Sequence, residues 1–273
     1  MWRRNGYSLL NQLYFYRNVK CRTEMLDRDV IMLQIGADLI ENNEYLIHIL
    51  NKFNLINWTN VDYEPISFTN PEEDNIRQVI NMVDEFLELL IIVIGERFVP
   101  GIAHVTENDK IKKEIMQQLC IKSFTHSELN KSLNEDYGNE NDIENVIDEV
   151  AIFEKQTDKK GVYKLKEEYY NHYNMYFYHY TKEEKSKSEE MQRQRHKTLG
   201  ELVCCPPPAN LPKLTEPFSL ITNLLQCDVM LLIMQTVLNR SIDLKAMSFS
   251  ESHLQKVSFQ LFSYEIILYL LFI

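Results

Sequence analysis

Glycine occurs only seven times in 273 residues, less than half its usual share of about 7%. Glycine supplies the positive-φ positions of tight hairpins and lets a backbone approach a phosphate closely. A chain this poor in it has few ways to build a many-turned sandwich or barrel. No GxGxxG, GxxxxGK or GxSxG run can be assembled from those positions, which excludes phosphate-loop and nucleophile-elbow enzymes. Abundant Ile, Leu, Glu, Asn and Lys point instead to a mainly helical protein.

The charge balance is 29 Lys+Arg against 40 Asp+Glu, a formal net charge of -11. It argues against general nucleic-acid binding and against anionic membrane surfaces. The cysteines are Cys21, Cys120, Cys204, Cys205 and Cys227. With no CxxC among them, neither a zinc knuckle nor a redox pair can be written, and they read as reduced thiols of a cytosolic or nuclear chain. Arg3 and Arg4 lead an amphipathic stretch without an apolar core, so no secretory signal is read. The longest apolar runs, Leu89 to Ile94 and Ile266 to Ile273, fall short of the ~20 residues of a membrane span.

Helical spacing of Leu9, Leu10, Leu13 and Tyr14, then Val30, Ile31, Leu33 and Ile35, then Leu46, Ile47, Ile49 and Leu50 predicts two or three helices between Tyr7 and Phe53. Asn57 to Glu73, with Pro65 and Pro71, reads as a loop connection. Ile76 to Ile94 predicts a helix so apolar in its second half that it must be buried on most faces, ended by Gly95 and Pro100-Gly101.

Glu107 to Leu165 carries the clearest signature. Thr106 with Asp109, and Thr125 with Glu128, are capping boxes before apolar stripes at Ile111, Ile115, Met116 and Leu119, and at Leu129 and Leu133. Asn141 and Asp142 are read as caps of a third helix with the stripe Ile143, Val146, Ile147 and Val150. Ala151 to Lys155 and Gly161 to Leu165 flank the turn-forming Thr157 to Gly161 as a β-hairpin. Three short helices and a hairpin make a winged-helix module. The expected fold is therefore mainly α, a helical scaffold with an inserted winged helix. Its segments are 1–101 (scaffold), 102–180 (winged helix with an aromatic segment), 181–217 (charged helix and Pro206-Pro207-Pro208 linker) and 218–273 (a helical segment). In the last, one helix runs from Pro217-Phe218 through Val237 and another from near Ser250, ending without a polar cap as a truncated chain would.

Glu135, Asp136, Glu140, Asp142, Glu144, Asp148 and Glu149 surround the third helix, with no Lys or Arg between Lys131 and Lys155. Phosphate contacts supply most DNA affinity, so this surface suits protein docking and not a duplex. The aromatic cluster Tyr173 to Tyr180 could stack bases, but such density more often fills a core. His172 and His179, seven apart, could share a helix face, yet no carboxylate or thiol completes a metal set. His126-Ser127-Glu128 is explained by capping, Cys204-Cys205 by nothing chemical, and Arg3, Arg4, Arg17, Lys20, Arg22 and Arg28 by solvated helix faces. No catalytic, cofactor-binding or metal residue is assigned.

Several stretches in order resemble the N-recognins, the UBR-box ubiquitin-protein ligases. They are Trp2-Arg3-Arg4-Asn5-Gly6-Tyr7-Ser8-Leu9 with Asn11-Gln12, Asn18 to Arg22, Glu24-Met25, Gly95-Glu96-Arg97-Phe98 with Pro100-Gly101, His126 to Leu129, Asn174 to Tyr180, Ser186-Lys187 with Glu189-Glu190 and Gln192, the proline run, and Asp228-Val229-Met230. The resemblance runs from Met1 to about Val257. It implies a RING-type ubiquitin transferase in the N-degron pathway, cytoplasmic or nuclear. Its partners would be a ubiquitin-conjugating enzyme and N-degron substrates, and its zinc would sit in a UBR box and a RING. The zinc clusters have no counterpart in these residues, so this chain is expected to be inactive scaffold, a slice of a longer product. A stand-alone, non-catalytic winged-helix interaction module is the alternative.

Overall fold

In the computed structural model the described residues are 2–60, 72–133, 140–155, 161–200, 211–242 and 249–263. The α-helices are α1 (Trp2–Arg17), α2 (Leu26–Leu39), α3 (Asn42–Lys52), α4 (Glu72–Gly95), α5 (Glu107–Ile121), α6 (His126–Ser132) and α7 (Glu140–Val150), then α8 (Lys182–Leu199), α9 (Asp228–Ile242) and α10 (Glu251–Ser263). Strands β1 (Ala151–Glu154) and β2 (Val162–Leu165) lie between α7 and α8. The chain is thus mainly helical and contains a winged-helix module. No single helix among the described residues is long and apolar enough to cross a membrane.

Two compact units form, each from separated stretches. One takes Met1–Met32, Arg97–Cys204 and Ala209–Thr215, and the other Leu33–Glu96, Cys205–Pro208 and Glu216–Ile273. These groupings cut across the linear segments read from the sequence.

In the first unit, both capping boxes form as expected. The Thr106 hydroxyl accepts from the Asp109 N–H at 3.3 Å while the Asp109 carboxylate accepts from the Thr106 N–H at 2.8 Å, and Thr125 and Glu128 repeat the exchange. A third box, Thr181 with Glu184, starts α8. That helix stops at Gly200, whose φ of 73° is the left-handed conformation glycine adopts without a Cβ clash. Val146, Ile147 and Val150 of α7 are buried as its stripe predicted. Asn141 and Asp142 do not cap it: α7 already begins at Glu140, which places both inside the first turn. The hairpin pairs antiparallel, Ala151 opposite Leu165 through Glu154 opposite Val162. Its connecting residues 156–160 lie outside the described residues, as do Glu135, Asp136, Cys204, Cys205, the proline run and Tyr264 to Ile273. One pairing was not foreseen. Phe124, between α5 and α6, bridges Tyr163, so that β2 lies between Phe124 and β1. The unit is closed by Ile102 to His104 against Lys213 to Thr215, where the His104 N–H donates to the Lys213 carbonyl at 3.0 Å and the Thr215 N–H to Ile102 at 2.9 Å.

The second unit packs α3, α4, α9 and α10 with a 3-10 helix over Glu216–Gln226. Val83, Phe86, Leu87, Leu90, Ile91, Val93 and Ile94 of α4 are buried, as the density of apolar residues required. Gln34 closes the end of α4, its amide donating to the carbonyls of Val93 at 3.0 Å and Glu96 at 2.6 Å. The single helix expected from Pro217 to Val237 is corrected: a 3-10 helix runs to Gln226 and α9 begins afresh at Asp228. Ser219, Thr222 and Cys227 each donate to the carbonyl three residues back. Such local bonds compete with regular α-helical geometry.

Candidate functional site

In the first unit, a buried ion cluster forms where the Arg22–Glu24 turn and α2, the helix α5 and the aromatic segment meet. Glu114 on α5 is placed inside by the same helical spacing that buries Ile111 and Ile115. Arg22, 4% exposed, donates from Nη2 to Glu114 Oε2 at 3.0 Å. His179 meets Glu114 Oε1 through Nδ1 and Asp27 Oδ1 through Nε2, the latter at 2.7 Å. The Tyr178 hydroxyl also donates to Asp27 Oδ1, at 3.0 Å.

The electrostatics follow from this packing. Burial opposes the imidazolium, but the Glu114 charge and the bonds to Asp27 and Glu114 prevail, so the pKa of His179 is raised. Burial likewise opposes the Glu114 carboxylate, and the His179 and Arg22 charges overcome it, taking its pKa down to about 2. With both ring nitrogens engaged by carboxylates and Arg22 in the same cluster, the arrangement is an ion-pair network. Among the described residues no three His, Cys, Asp or Glu side chains form a group that could hold a metal.

The expectation for His179 changes in detail. Its carboxylate partners exist, 65 and 152 residues away in sequence, where local spacing could not reveal them. His172 ends a 3-10 helix, is exposed and does not share a helix face with His179. Arg22, read as solvated, is buried, whereas Arg28 fits that reading in an exposed pair with Glu24. The aromatic segment fills a core: Tyr173, Tyr176, Phe177 and Tyr180 are buried, and the Tyr180 hydroxyl donates to the Gln117 carbonyl at 2.6 Å. Ser127 and His126 sit in the capped first turn of α6. There the Thr125 N–H and hydroxyl on Glu128 hold its carboxyl down at about 2. Burial pushes the Cys120 thiol up to about 12, which leaves it too weakly ionised to be a nucleophile.

The exposed face of the module is α7 and the hairpin. Glu144, Asp148 and Glu149 are exposed, and Glu149 is tied to Lys112 at 2.5 Å. Ile152 and Phe153 on β1 are 52% and 55% exposed. This face is acidic along α7 and apolar at Ile152 and Phe153, with Lys164 of β2 exposed beside Glu154.

The fold defines a mainly helical protein that contains a winged-helix module. Residues 110–207 match the domain family described as "E3 ubiquitin-protein ligase UBR1-like, winged-helix domain". The chain is 54% identical over 261 residues to the E3 ubiquitin-protein ligase UBR1 of Drosophila melanogaster, covering 94% of this chain and 14% of that protein. It is 44% identical over 260 residues to human UBR2, covering 94% and 15%, and 42% identical over 256 residues to human UBR1, covering 93% and 14%. The chain belongs to the UBR family, and it spans about one seventh of the length of these relatives.

Proposed function

We propose that this chain is the scaffold segment of an N-recognin type ubiquitin-protein ligase that acts in N-degron dependent ubiquitination and degradation. The observation that carries the reading is 54% identity across 94% of the chain to a named ubiquitin-protein ligase. In this reading the full protein is a RING-type transferase of the cytoplasm and nucleus. It holds zinc in a UBR box and a RING outside these residues, and it engages a conjugating enzyme and N-degron substrates. The segment contributes geometry: a transfer that needs a substrate lysine near a thioester is accelerated by fixing the two ends. Buried ion pairs that tie the winged helix to Arg22 and Asp27 support that role.

Two measurements test it. The purified chain, given a ubiquitin-charged conjugating enzyme, is expected to leave the discharge rate at background, and stimulated discharge would overturn the scaffold assignment. An immunoblot of native lysate with an antibody to residues 134–160 is expected to show a band several times larger than 32.5 kDa. A band only at that mass would favour an autonomous binder. The exposed carboxylates of Glu144 and Asp148 favour that second reading, docking of a basic partner surface. Its test uses the Glu144→Lys, Asp148→Lys double variant and spares Glu149, whose pair with Lys112 is part of the fold. Retention of every captured partner by this variant would end the docking reading.

A further inference from the structure

Among the described residues the hairpin leaves one strand edge unpaired. Tyr163 directs both its N–H and its C=O to Phe124, at 2.7 and 3.1 Å. It therefore cannot exchange bonds with Phe153, the residue opposite it on β1. In an antiparallel ladder, bonded and non-bonded pairs alternate. Ile152 with Lys164 and Glu154 with Val162 are thus the bonded pairs, in phase with the Lys166 N–H on the Val150 carbonyl at 3.0 Å. It follows that Ala151 and Phe153 direct their backbone N–H and C=O groups away from β2; Ala151 is buried, so the exposed pair is that of Phe153. Among the described residues no backbone bond meets them.

An outward donor and acceptor flanked by exposed apolar side chains is a starting point for another strand. We propose that the β1 edge docks an extended peptide by strand addition, and that the peptide alternates apolar with basic residues. The Phe153 backbone pair anchors the added strand, and the side chains fix the alternation. One face of β1 presents Phe153, whose ring lies 5.2 Å from that of Tyr163, and this face takes the apolar residues. The other presents Ile152 and Glu154. Glu154 is half exposed and only loosely approached by Lys164, at 4.0 Å, so it takes lysine or arginine. A second copy of the chain is the poorer occupant, because each copy brings a net charge of -11 and an acidic α7.

The test measures fluorescence anisotropy of the purified chain with a labelled peptide of alternating valine and lysine, and with its valine-glutamate counterpart. Hydrogen exchange reads the Phe153 amide. The basic peptide is expected to bind at least about tenfold more tightly than the acidic one and to protect that amide. Phe153→Pro removes an N–H that the hairpin does not use. It should weaken binding by about tenfold, whereas Phe153→Val, which keeps the N–H, should stay within about threefold. Should the proline variant fail to fold, a valine-lysine peptide methylated on alternate backbone nitrogens replaces it, and strand addition requires this peptide to bind about tenfold more weakly. A folded Phe153→Pro variant that binds like the wild type would overturn the proposal. So would full binding of the methylated peptide, equal affinity for both charge patterns, or a wild-type dimer that Phe153→Pro dissolves while the peptide is ignored.

Discussion

Taking Arg22, Asp27, Glu114 and His179 out of water is costly, and the cluster persists because each charge meets an opposite one. Removing one partner strands the rest. His179→Gln should destabilise the first unit by about 3–5 kcal/mol, read as a lower urea midpoint. The pH dependence has a definite sign. The folded pKa of His179 lies above the unfolded value of 6.5, so its contribution is complete below 6.5 and is lost as pH rises through the folded value. Glu114, lowered from 4.5 to about 2, contributes above 4.5 and is lost as pH falls toward 2. Urea midpoints from pH 6 to 9 should therefore fall in the wild type and flatten in His179→Gln; parallel curves would show that the imidazolium is not what the cluster stabilises. None of this was legible in the sequence, because Arg22 and Glu114 are 92 residues apart and Asp27 and His179 are 152 apart. Local spacing carries no record of such pairs.

At the scale of single elements, what was legible had a local cause. Thr106 with Asp109 and Thr125 with Glu128 announce helix starts because the cap and its partner are three residues apart, within one turn. Thr181 with Glu184 obeys the same rule, and Thr181→Ala should lower stability by about 1 kcal/mol in thermal unfolding, with Thr181→Ser restoring most of it. The break between the 3-10 helix and α9 had no such signal. In the second unit the Asp38 carboxylate accepts from the Leu220 N–H at 3.3 Å and the Asn43 side-chain oxygen from the Val229 N–H at 2.9 Å. The second contact satisfies a first-turn donor of α9 from a helix nearly two hundred residues earlier. Asn43→Ala should therefore destabilise by about 1 kcal/mol although it lies outside α9, and an unchanged melting temperature would show that the contact contributes nothing.

Across the whole molecule, the winged helix was readable because it is contiguous, and the units were not, because each gathers distant stretches. The strand-like contact of Ala103 with Leu214 joins segments that share no local pattern. Charge, by contrast, is a sum over residues and needs no fold to be read, so the expectation that this chain does not bind nucleic acid can be argued without any segment boundary. The exposed Glu144, Asp148 and Glu149 place negative charge on the helix that would have to approach the duplex, and the chain adds a net -11 behind it. Binding that relies on phosphate neutralisation releases counterions and strengthens steeply as salt is lowered. A surface that makes no phosphate contacts has no such gain. In a mobility-shift titration with labelled duplex DNA, lowering the salt from about 200 to 50 mM should produce no shifted band, where a protein making several phosphate contacts gains about 10³-fold or more. A band that strengthens along that slope would require a basic surface elsewhere on the molecule, and the protein-docking interpretation of the acidic α7 would then lose its electrostatic support.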